Sequence, residues 1–243
     1  MESARYRGRP GGIAGRLVAI GLVGGFALLL GQGCARGDPP AQGDAREAEV
    51  IALGGGPGGA AHACVACHGP AGEGDGVSPW LAGLPAGYIE KQLLDYAQSR
   101  RPDAIMTPIA KALEARERRG LARYYAAMPV PTRGSGAPGP VAGEHLYRRS
   151  VDGGPSCAAC HGPDGRGLGP ANPPLAGQPP TYTASQLHRW KDGVRRNDGG
   201  AVMHRAVSAL DDGEIGLLAD WLAGLSPAPA PAGPVSSASA PGP

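Results

Sequence analysis

Large side chains are scarce in this chain of 243 residues: aromatic residues make up 5% of it, and Phe occurs once. Strand patterns are missing as well, since no segment alternates apolar with polar residues convincingly. No stretch interleaves basic with aromatic side chains, which excludes a nucleic-acid-binding protein. A small domain with so few large side chains needs another filler for its core, such as a metal, a disulfide or a large apolar cofactor.

Long apolar runs are also lacking. The longest, residues 17–30, contains several glycines and is too short for a comfortable membrane span. It follows a group of arginines and precedes small residues, which is the order of regions in an export signal. We therefore expect residues 1–34 to be a signal peptide or a lipoprotein signal and the protein to lie in the periplasm. An uncleaved membrane anchor is the alternative.

Cysteine is rare too, with five residues, and four of them belong to a repeated motif. The fifth, Cys34, follows the apolar run directly, at the place where a bacterial lipoprotein carries its lipidated cysteine. The letters before it depart from a lipobox, because Gly31 stands where leucine is preferred. Two fates of Cys34 stay open: lipidation, which would tether the protein to a membrane, and removal by cleavage after Ala35.

Glycine (42) and proline (26) are abundant, but they are concentrated in a few segments. These segments predict a flexible tether over 35–56, a Pro/Gly linker over 129–141 and a disordered tail over 226–243. Two compact stretches lie between them, 57–128 and 142–225. We interpret these stretches as two domains.

The two stretches repeat each other, which indicates duplication of one small domain. Tyr88 and Gln92 match Tyr182 and Gln186 at one constant spacing. The spacing between matched residues has grown by three by the time the repeat reaches Met203, which predicts a short loop insertion before that residue.

Apolar residues recur at helical intervals in both stretches, so the predicted fold class is all-α. Asp211 and Glu214 form a capping-box pattern that opens the last helix. The letters GEHLYRR (143–149) predict an additional helix ahead of the second Cys pair. Glycine and proline replace this pattern in the first domain, so its first helix is expected to be short and to begin near Gly59.

The repeated motif is CVACHGP at 64–70 and CAACHGP at 157–163. Cys-x-x-Cys followed directly by His is the attachment signal of a c-type haem, in which both thiols bond to the haem and the His ligates its iron. A zinc site would need further ligands beside each pair, and a thioredoxin-like dithiol would need a βαβ unit; the sequence shows neither. We therefore predict two covalently bound haem c groups, which also fill the small cores. Their attachment residues are Cys64, Cys67 and His68 in the first domain and Cys157, Cys160 and His161 in the second.

The sixth iron position separates an electron carrier from a ligand-binding enzyme. Met106 and Met203 hold parallel places in the repeat, ahead of the last helix, and we predict that they ligate the two irons. Met128 is a rival in the first domain, but it lies on an apolar helical face and is interpreted as core. His204 is a rival in the second domain because it adjoins Met203.

Pro79 and Pro173 recur shortly after each motif histidine. A backbone carbonyl near them is expected to accept the Nδ1–H of that histidine and so to fix the ring. Two matched pairs, one of tyrosines and one of arginines, have two interpretations each. Both pairs could contact the haem propionates, or the tyrosines could be core rings and the arginines solvated charges. The pairs are Tyr88 with Tyr182 and Arg100 with Arg195.

The two CxACHGP motifs, the LAGL and LAGQ segments, the matched Tyr and Gln-Leu helices and the Met-Thr-Pro step at 106–108 resemble the di-haem cytochrome c4 family. The resemblance covers both predicted domains. It implies two class I cytochrome c domains in one chain, with the ligand pairs His68/Met106 and His161/Met203. It also implies a periplasmic protein, often attached to a membrane, that passes electrons from a quinol-oxidising complex toward a terminal oxidase.

The residues themselves leave three functions open. The first is a one-electron carrier with redox protein partners, which needs only small and transient interfaces. The second is a haem-containing subunit of a membrane dehydrogenase complex, which the sequence barely separates from the first. The third is a di-haem enzyme, such as a thiosulfate dehydrogenase or a peroxidase, but no cluster of acid and base residues supports it. We expect an electron carrier and no enzymatic activity.

Overall fold

The structure, a computed structural model, describes residues 42–132, 139–150 and 154–227. Every regular element in these ranges is a helix, apart from one isolated antiparallel bridge in the second domain, so the expected all-α fold is confirmed. Within the same ranges, no helix is long and apolar enough to cross a membrane. The predicted export signal with Cys34, part of the linker and nearly all of the predicted tail lie outside the described residues.

The first domain is built from helices α1 (Gln42–Gly54), α2 (Val65–His68), α3 (Ala86–Ala97), α4 (Met106–Ala112) and α5 (Ala115–Ala126). Helix α2 carries the motif histidine, and α1 and α3 pack against α5. Trp80, Leu121 and Tyr125 are at most 2% exposed and form the centre of this core.

The second domain repeats this order with helices α6 (Val141–Arg148), α7 (Cys157–His161), α8 (Pro180–Lys191), α9 (Val202–Val207) and α10 (Asp212–Gly224). Helix α6 confirms the helix predicted from GEHLYRR, and it packs with α8 against α10. The predicted capping box is present, since Asp211 accepts from the Glu214 amide at 2.8 Å and Glu214 accepts from the Asp211 amide at 3.1 Å.

Helix α1 contradicts two expectations, a flexible tether over 35–56 and a first helix near Gly59. Its inner face packs against α5 through Ala48, Ile51 and Ala52, which are at most 5% exposed. Alanine carries little hydrophobic signal, and the glycines after α1 oppose helix formation. The contact with α5, rather than local propensity, therefore decides this element.

In each domain the last helix packs against the first helix, but the form of this contact differs between the domains. In the second domain, a Cβ on Gly143 would lie 2.3 Å from the carbonyl oxygen of Leu217, so only glycine allows this crossing of α6 over α10. In the first domain Ala48 is buried at the α1–α5 contact. The expectation that the first domain lacks a counterpart of α6 is wrong, because α1 occupies that place.

The two domains contact each other through buried polar side chains, which we call the interdomain cluster. It combines side chains of α3 and α8 with side chains of the loops that follow these helices. Hydrogen bonds of 2.7–3.1 Å cross between the domains within it. Its members are Gln92, Asp95 and Arg101 from the first domain and Tyr182, Gln186, Arg195 and Asn197 from the second.

The centre of the interdomain cluster is close to symmetric. Arg101 donates to Gln92 in its own domain at 3.0 Å and to Gln186 in the other at 2.7 Å. Arg195 donates to Gln186 in its own domain at 2.9 Å and to Gln92 in the other at 3.1 Å. Each guanidinium also lies 4.6 Å from the centroid of an aromatic ring in its own domain. The rings are those of Tyr96 and Trp190.

This arrangement corrects one match made from the sequence. The residue of the first domain that corresponds to Arg195 in the fold is Arg101 and not Arg100. Arg100 is exposed and forms a salt bridge with Asp95 at 2.7 Å. Arg101 and Arg195 are not solvated charges, since they are 3% and 7% exposed. Burial, together with the nearby charge of Arg101, lowers the pKa of Arg195.

Candidate functional site

Each repeated motif forms a helical turn that presents its histidine to the interior of its domain. His68 and His161 end helices α2 and α7 and are each 8% exposed. The four motif thiols form no disulfide. The turn brings the Cys-x-x-Cys pair and the His of each motif together, as the attachment of one haem requires.

The hydrogen bonds expected after each histidine are present. His68 Nδ1 lies 2.8 Å from the carbonyl oxygen of Pro79, and His161 Nδ1 lies 2.9 Å from that of Pro173. A carbonyl oxygen only accepts, so each Nδ1 carries the proton. The lone pair of each ring is therefore on Nε2, the atom left for a metal.

The burial of the two histidines supports the same protonation state. Burial lowers the pKa of His68 and of His161, and the hydrogen bond to the proline carbonyl opposes this effect only in part. Both rings are held neutral, which is the form that ligates iron. Burial also raises the pKa of Cys157 to about 11, so this thiol is protonated before it is attached to a haem.

The proline carbonyls are positioned by a loop with the same hydrogen bonds in both domains. The amide of Gly74 donates to the carbonyl of His68 at 2.7 Å, and Gly167 donates to His161 at 2.7 Å. Gly74 has φ +74, and a Cβ there would lie 2.5 Å from a backbone oxygen. Glycine at this position therefore allows the loop to fold back beneath the histidine.

The two methionines predicted as iron ligands occupy corresponding places. Met106 is the first residue of α4 and is half-buried, and Met203 lies in the first turn of α9 and packs against the core of its domain. Both backbone amides donate to an aspartate, Met106 to Asp103 at 2.9 Å and Met203 to Asp198 at 2.7 Å.

The two rivals of these methionines have other contacts. Met128 packs against the core cluster of the first domain, in agreement with its interpretation as a core residue. His204 is exposed, and its Nδ1 lies 3.0 Å from the carbonyl oxygen of Trp190. This contact directs Nδ1 of His204 toward α8.

Two buried donors of the first domain test whether its residues fit a haem. Trp80 is 1% exposed, and its Nε1 has no hydrogen-bond partner among the described residues. The same is true of Nε of Arg101. Buried polar groups of this kind need acceptors, and carboxylates such as the haem propionates provide them. Together with the thiols and the neutral imidazole, these donors fit a haem in the first domain, and in the second domain the thiols of Cys157 and Cys160 and the imidazole of His161 form the same attachment set.

Several residues of this site could not be found from the sequence pattern. Trp80 aligns with Pro174 in the repeat, so a comparison of the two halves does not identify Trp80 as a shared residue. Asp95 aligns with Arg189, a residue of opposite charge, and Asn197 has no matched polar residue in the other half. Of the matched tyrosines, Tyr182 accepts from Arg101 at 2.9 Å in the interdomain cluster, whereas Tyr88 packs against the first core.

The helical domains and their attachment turns are those of a class I cytochrome c, present twice in one chain. Residues 58–133 and 141–226 both match the family described as cytochrome c. The chain is 41% identical to cytochrome c4 of Thiocapsa roseopersicina, over 67% of this chain and 87% of that protein. The chain therefore belongs to the cytochrome c family and, within it, to the di-haem cytochrome c4-like electron carriers, with two covalently bound haem c groups.

Two further comparisons extend this result. The chain is 37% identical to the thiosulfate dehydrogenase electron acceptor of Stutzerimonas stutzeri, over 84% of this chain and 94% of that protein. Its fold matches the crystal structure of reduced cytochrome c4 from Pseudomonas stutzeri with a TM-score of 0.59 and 30% identity, covering 67% of this chain and 93% of that one.

A second solved structure with a matching fold is that of a thiosulfate dehydrogenase. Thiosulfate dehydrogenase (TsdBA) from Marichromatium purpuratum matches with a TM-score of 0.65 and 31% identity. The match covers 75% of this chain but only 40% of that chain. More than half of the larger protein therefore has no counterpart here.

Proposed function

We propose that this protein is a periplasmic one-electron carrier whose two haems are ligated by His68 with Met106 and by His161 with Met203. Haem supplies the redox chemistry, and the protein supplies attachment, orientation and electrostatics. The observation that supports the proposal best is the matched carbonyl contact of both histidines, which leaves Nε2 of each neutral ring as the ligand. A methionine opposite each histidine favours electron transfer over catalysis.

The interdomain cluster supports transfer between the two haems within one molecule. Its buried hydrogen bonds hold α3 and α8 in one arrangement, although the chain between the domains is rich in proline and glycine. A constant arrangement keeps the two haems at a constant separation. Electrons that enter at one domain are then available at the other.

We propose a thiosulfate-oxidising enzyme as the electron donor. The relatives named as electron acceptors of thiosulfate dehydrogenase match over more of this chain than the cytochromes c4 do, 84% and 74% against 67–69%. A quinol-oxidising complex with a terminal oxidase as acceptor is the second candidate, and the cytochrome c4 relatives favour it. In either case the interface with the partner is expected to be small and transient.

Rapid-mixing kinetics distinguish these donors. The oxidised holoprotein is mixed with a purified thiosulfate dehydrogenase and thiosulfate, and separately with a quinol-oxidising complex and quinol. Fast reduction of both haems by the first donor, and slow reduction by the second, is the expected result. Faster reduction by the quinol-oxidising complex would identify that complex as the donor instead. Oxidation of thiosulfate by the protein alone would show that it is an enzyme.

Spectra of single variants test the ligand assignment. The ferric protein is expected to show the charge-transfer band of Met–iron ligation for both haems. Met106→Ala and Met203→Ala should each remove half of its intensity, while Met128→Ala, the matched control, should leave the band unchanged. A high-spin haem in the unmodified protein, or an unchanged band in either ligand variant, would contradict the assignment.

A further inference from the structure

The loops that precede the two methionines differ by an insertion. The first domain has Asp103-Ala-Ile-Met106, and the second has Asp198-Gly-Gly-Ala-Val-Met203. The order aspartate, alanine, branched aliphatic, methionine is the same in both, so Gly199 and Gly200 are the added residues. They account for two of the three residues by which the spacing of the repeat grows.

The loop before Met106 is closed by hydrogen bonds at both ends. The Asp103 carboxylate accepts from the amides of Ile105 at 3.0 Å and Met106 at 2.9 Å. The Thr107 hydroxyl accepts from the Asp103 amide at 2.9 Å. Arg189 of the second domain donates to the neighbouring carbonyl of Pro102. This loop is therefore attached to its own helix and to the other domain.

The loop before Met203 has fewer such contacts. Within the described part of the chain, the Asp198 carboxylate accepts from one amide, that of Met203. The residue in the place of Thr107 is His204, which is turned toward the Trp190 carbonyl instead. A Cβ on Gly199 or on Gly200 would meet no atom within 4 Å, and the contact recorded for the inserted pair is the one from Arg205 of α9 to the Gly200 carbonyl.

The backbone directly after the inserted glycines is also strained. Ala201 has φ +52 and ψ 38, in the left-handed region that residues other than glycine avoid. Gly200 before it has φ +67, which glycine tolerates. Relaxation of Ala201 would move the start of α9, and with it Met203. Strain of this type persists only where surrounding contacts enforce it. The side-chain hydrogen bonds recorded around Ala201 are those of Asp198 with the Met203 amide and of Arg205 with the Gly200 carbonyl.

We propose that the position held by Met203 is an exchangeable ligand site, open to small neutral nitrogen donors such as imidazole, whereas the position held by Met106 is closed to them. The inference rests on the methionine ligation proposed above. The exchange breaks the bond between iron and the Met203 sulfur and forms a bond between iron and a nitrogen of imidazole. No electron is transferred, and the iron stays ferric.

Imidazole titration of the ferric holoprotein tests this site, with the Met–iron charge-transfer band as the readout. The band should fall in two equal steps, and the second step should need about tenfold or more imidazole. In Met106→Ala the whole remaining band should disappear at the lower concentration. In Met203→Ala the remaining band should persist to the higher one. Loss of both halves in a single step, or the opposite assignment, would overturn the inference.

Two loop variants provide matched controls for folding and for cause. Deletion of Gly199 and Gly200 restores the first domain's spacing and should raise the imidazole concentration of the lower step to that of the other. Insertion of Gly-Gly after Asp103 should open the first site. Two haems per chain in each variant show that the domains still form, and steps that do not move in these folded variants would contradict the proposal. Absence of the band before titration would instead disprove the methionine ligation.

Discussion

The two domains place a buried tyrosine beside the first cysteine of the motif, but they take it from different helices. In the first domain it is Tyr125 of α5, close to Cys64, and in the second it is Tyr147 of α6, close to Cys157. Each tyrosine has a smaller residue at the matching place of the other domain. Ala52 of α1 matches Tyr147, and Leu222 of α10 matches Tyr125. The two cores therefore contain side chains of similar total volume. The large ring comes from the last helix in the first domain and from the first helix in the second.

The hydroxyl groups of the two tyrosines differ in their hydrogen bonding. The hydroxyl of Tyr147 donates to the carbonyl oxygen of Gly162, directly after the motif histidine, at 2.7 Å. The hydroxyl of Tyr125 has no nitrogen or oxygen partner among the described residues. The domains therefore have equivalent packing around the motif but unequal hydrogen bonding, which mutation can separate.

Removal of the large ring should have the largest effect. Tyr125→Ala is expected to lower the free energy of unfolding by about 3–5 kcal/mol, since it leaves a cavity in the core. Tyr125→Leu should cost less, and Tyr125→Leu combined with Ala52→Tyr should recover part of that loss, because it reproduces the second domain's arrangement. Guanidinium denaturation of the holoprotein measures these differences. A double variant no more stable than Tyr125→Leu would show that the two sites are not interchangeable.

The interdomain cluster provides the second comparison, between Asp95 and Arg189 at matched places in α3 and α8. Asp95 is fully buried and accepts from Asn197 at 2.7 Å, whereas Arg189 is half-buried. Asp95→Asn should destabilise the protein by about 1–3 kcal/mol, because it removes a buried charged acceptor from three donors, Lys91, Arg100 and Asn197. Arg189→Ala should cost less than about 1 kcal/mol. Equal losses in thermal unfolding of the two variants would refute this asymmetry.

The same aspartate predicts a pH dependence. Burial alone would raise the pKa of Asp95, but the hydrogen bonds from Lys91, Asn197 and Arg100 outweigh it, and the pKa is lowered. Its contribution to stability is therefore present above the ordinary aspartate pKa of about 4 and is lost as the pH falls through the lowered value. The unmodified protein should lose stability over that acid range more steeply than Asp95→Asn, and parallel curves would exclude Asp95 as the cause.

A smaller effect should distinguish the two tyrosine hydroxyls. Tyr147→Phe removes the donor to Gly162 and should cost about 1–2 kcal/mol, because a buried carbonyl loses its partner. Tyr125→Phe should change the free energy of unfolding by less than about 0.5 kcal/mol. Urea denaturation of the two holoproteins is the measurement. A larger loss for Tyr125→Phe would reveal a hydrogen bond from its hydroxyl that outweighs the one in the second domain.

The smallest expected effect lies at the turn after α3 and α8. Ser99 has φ +57, while Gly193 at the matching place has φ +67. Ser99→Gly should raise the free energy of unfolding by about 0.5–1 kcal/mol, since glycine adopts this conformation without strain. Gly193→Ser should lower it by a similar amount. Thermal unfolding of the pair checks the sign, and a destabilised Ser99→Gly would mean that the serine side chain compensates for its backbone.

The sequence proposes specific attachment residues because haem attachment depends on a local pattern. Two cysteines and a histidine within one helical turn need no tertiary information, and the proline carbonyl lies a short loop away. Helix α1 could not be predicted in the same way. Ala48 and Ala52 carry almost no hydrophobic signal, and their burial depends on α5, which is distant in the chain.

The sequence by itself determined the two haem domains and their helical class, and it predicts the residues of each attachment turn, because these follow from spacing along the chain. Only the tertiary structure decided which charges are buried. Arg101 and Asp95 have the pattern of surface residues, and they become interior residues because a second domain covers them. Burial of charge is a property of what lies opposite in space, and the pattern within one helix does not contain it.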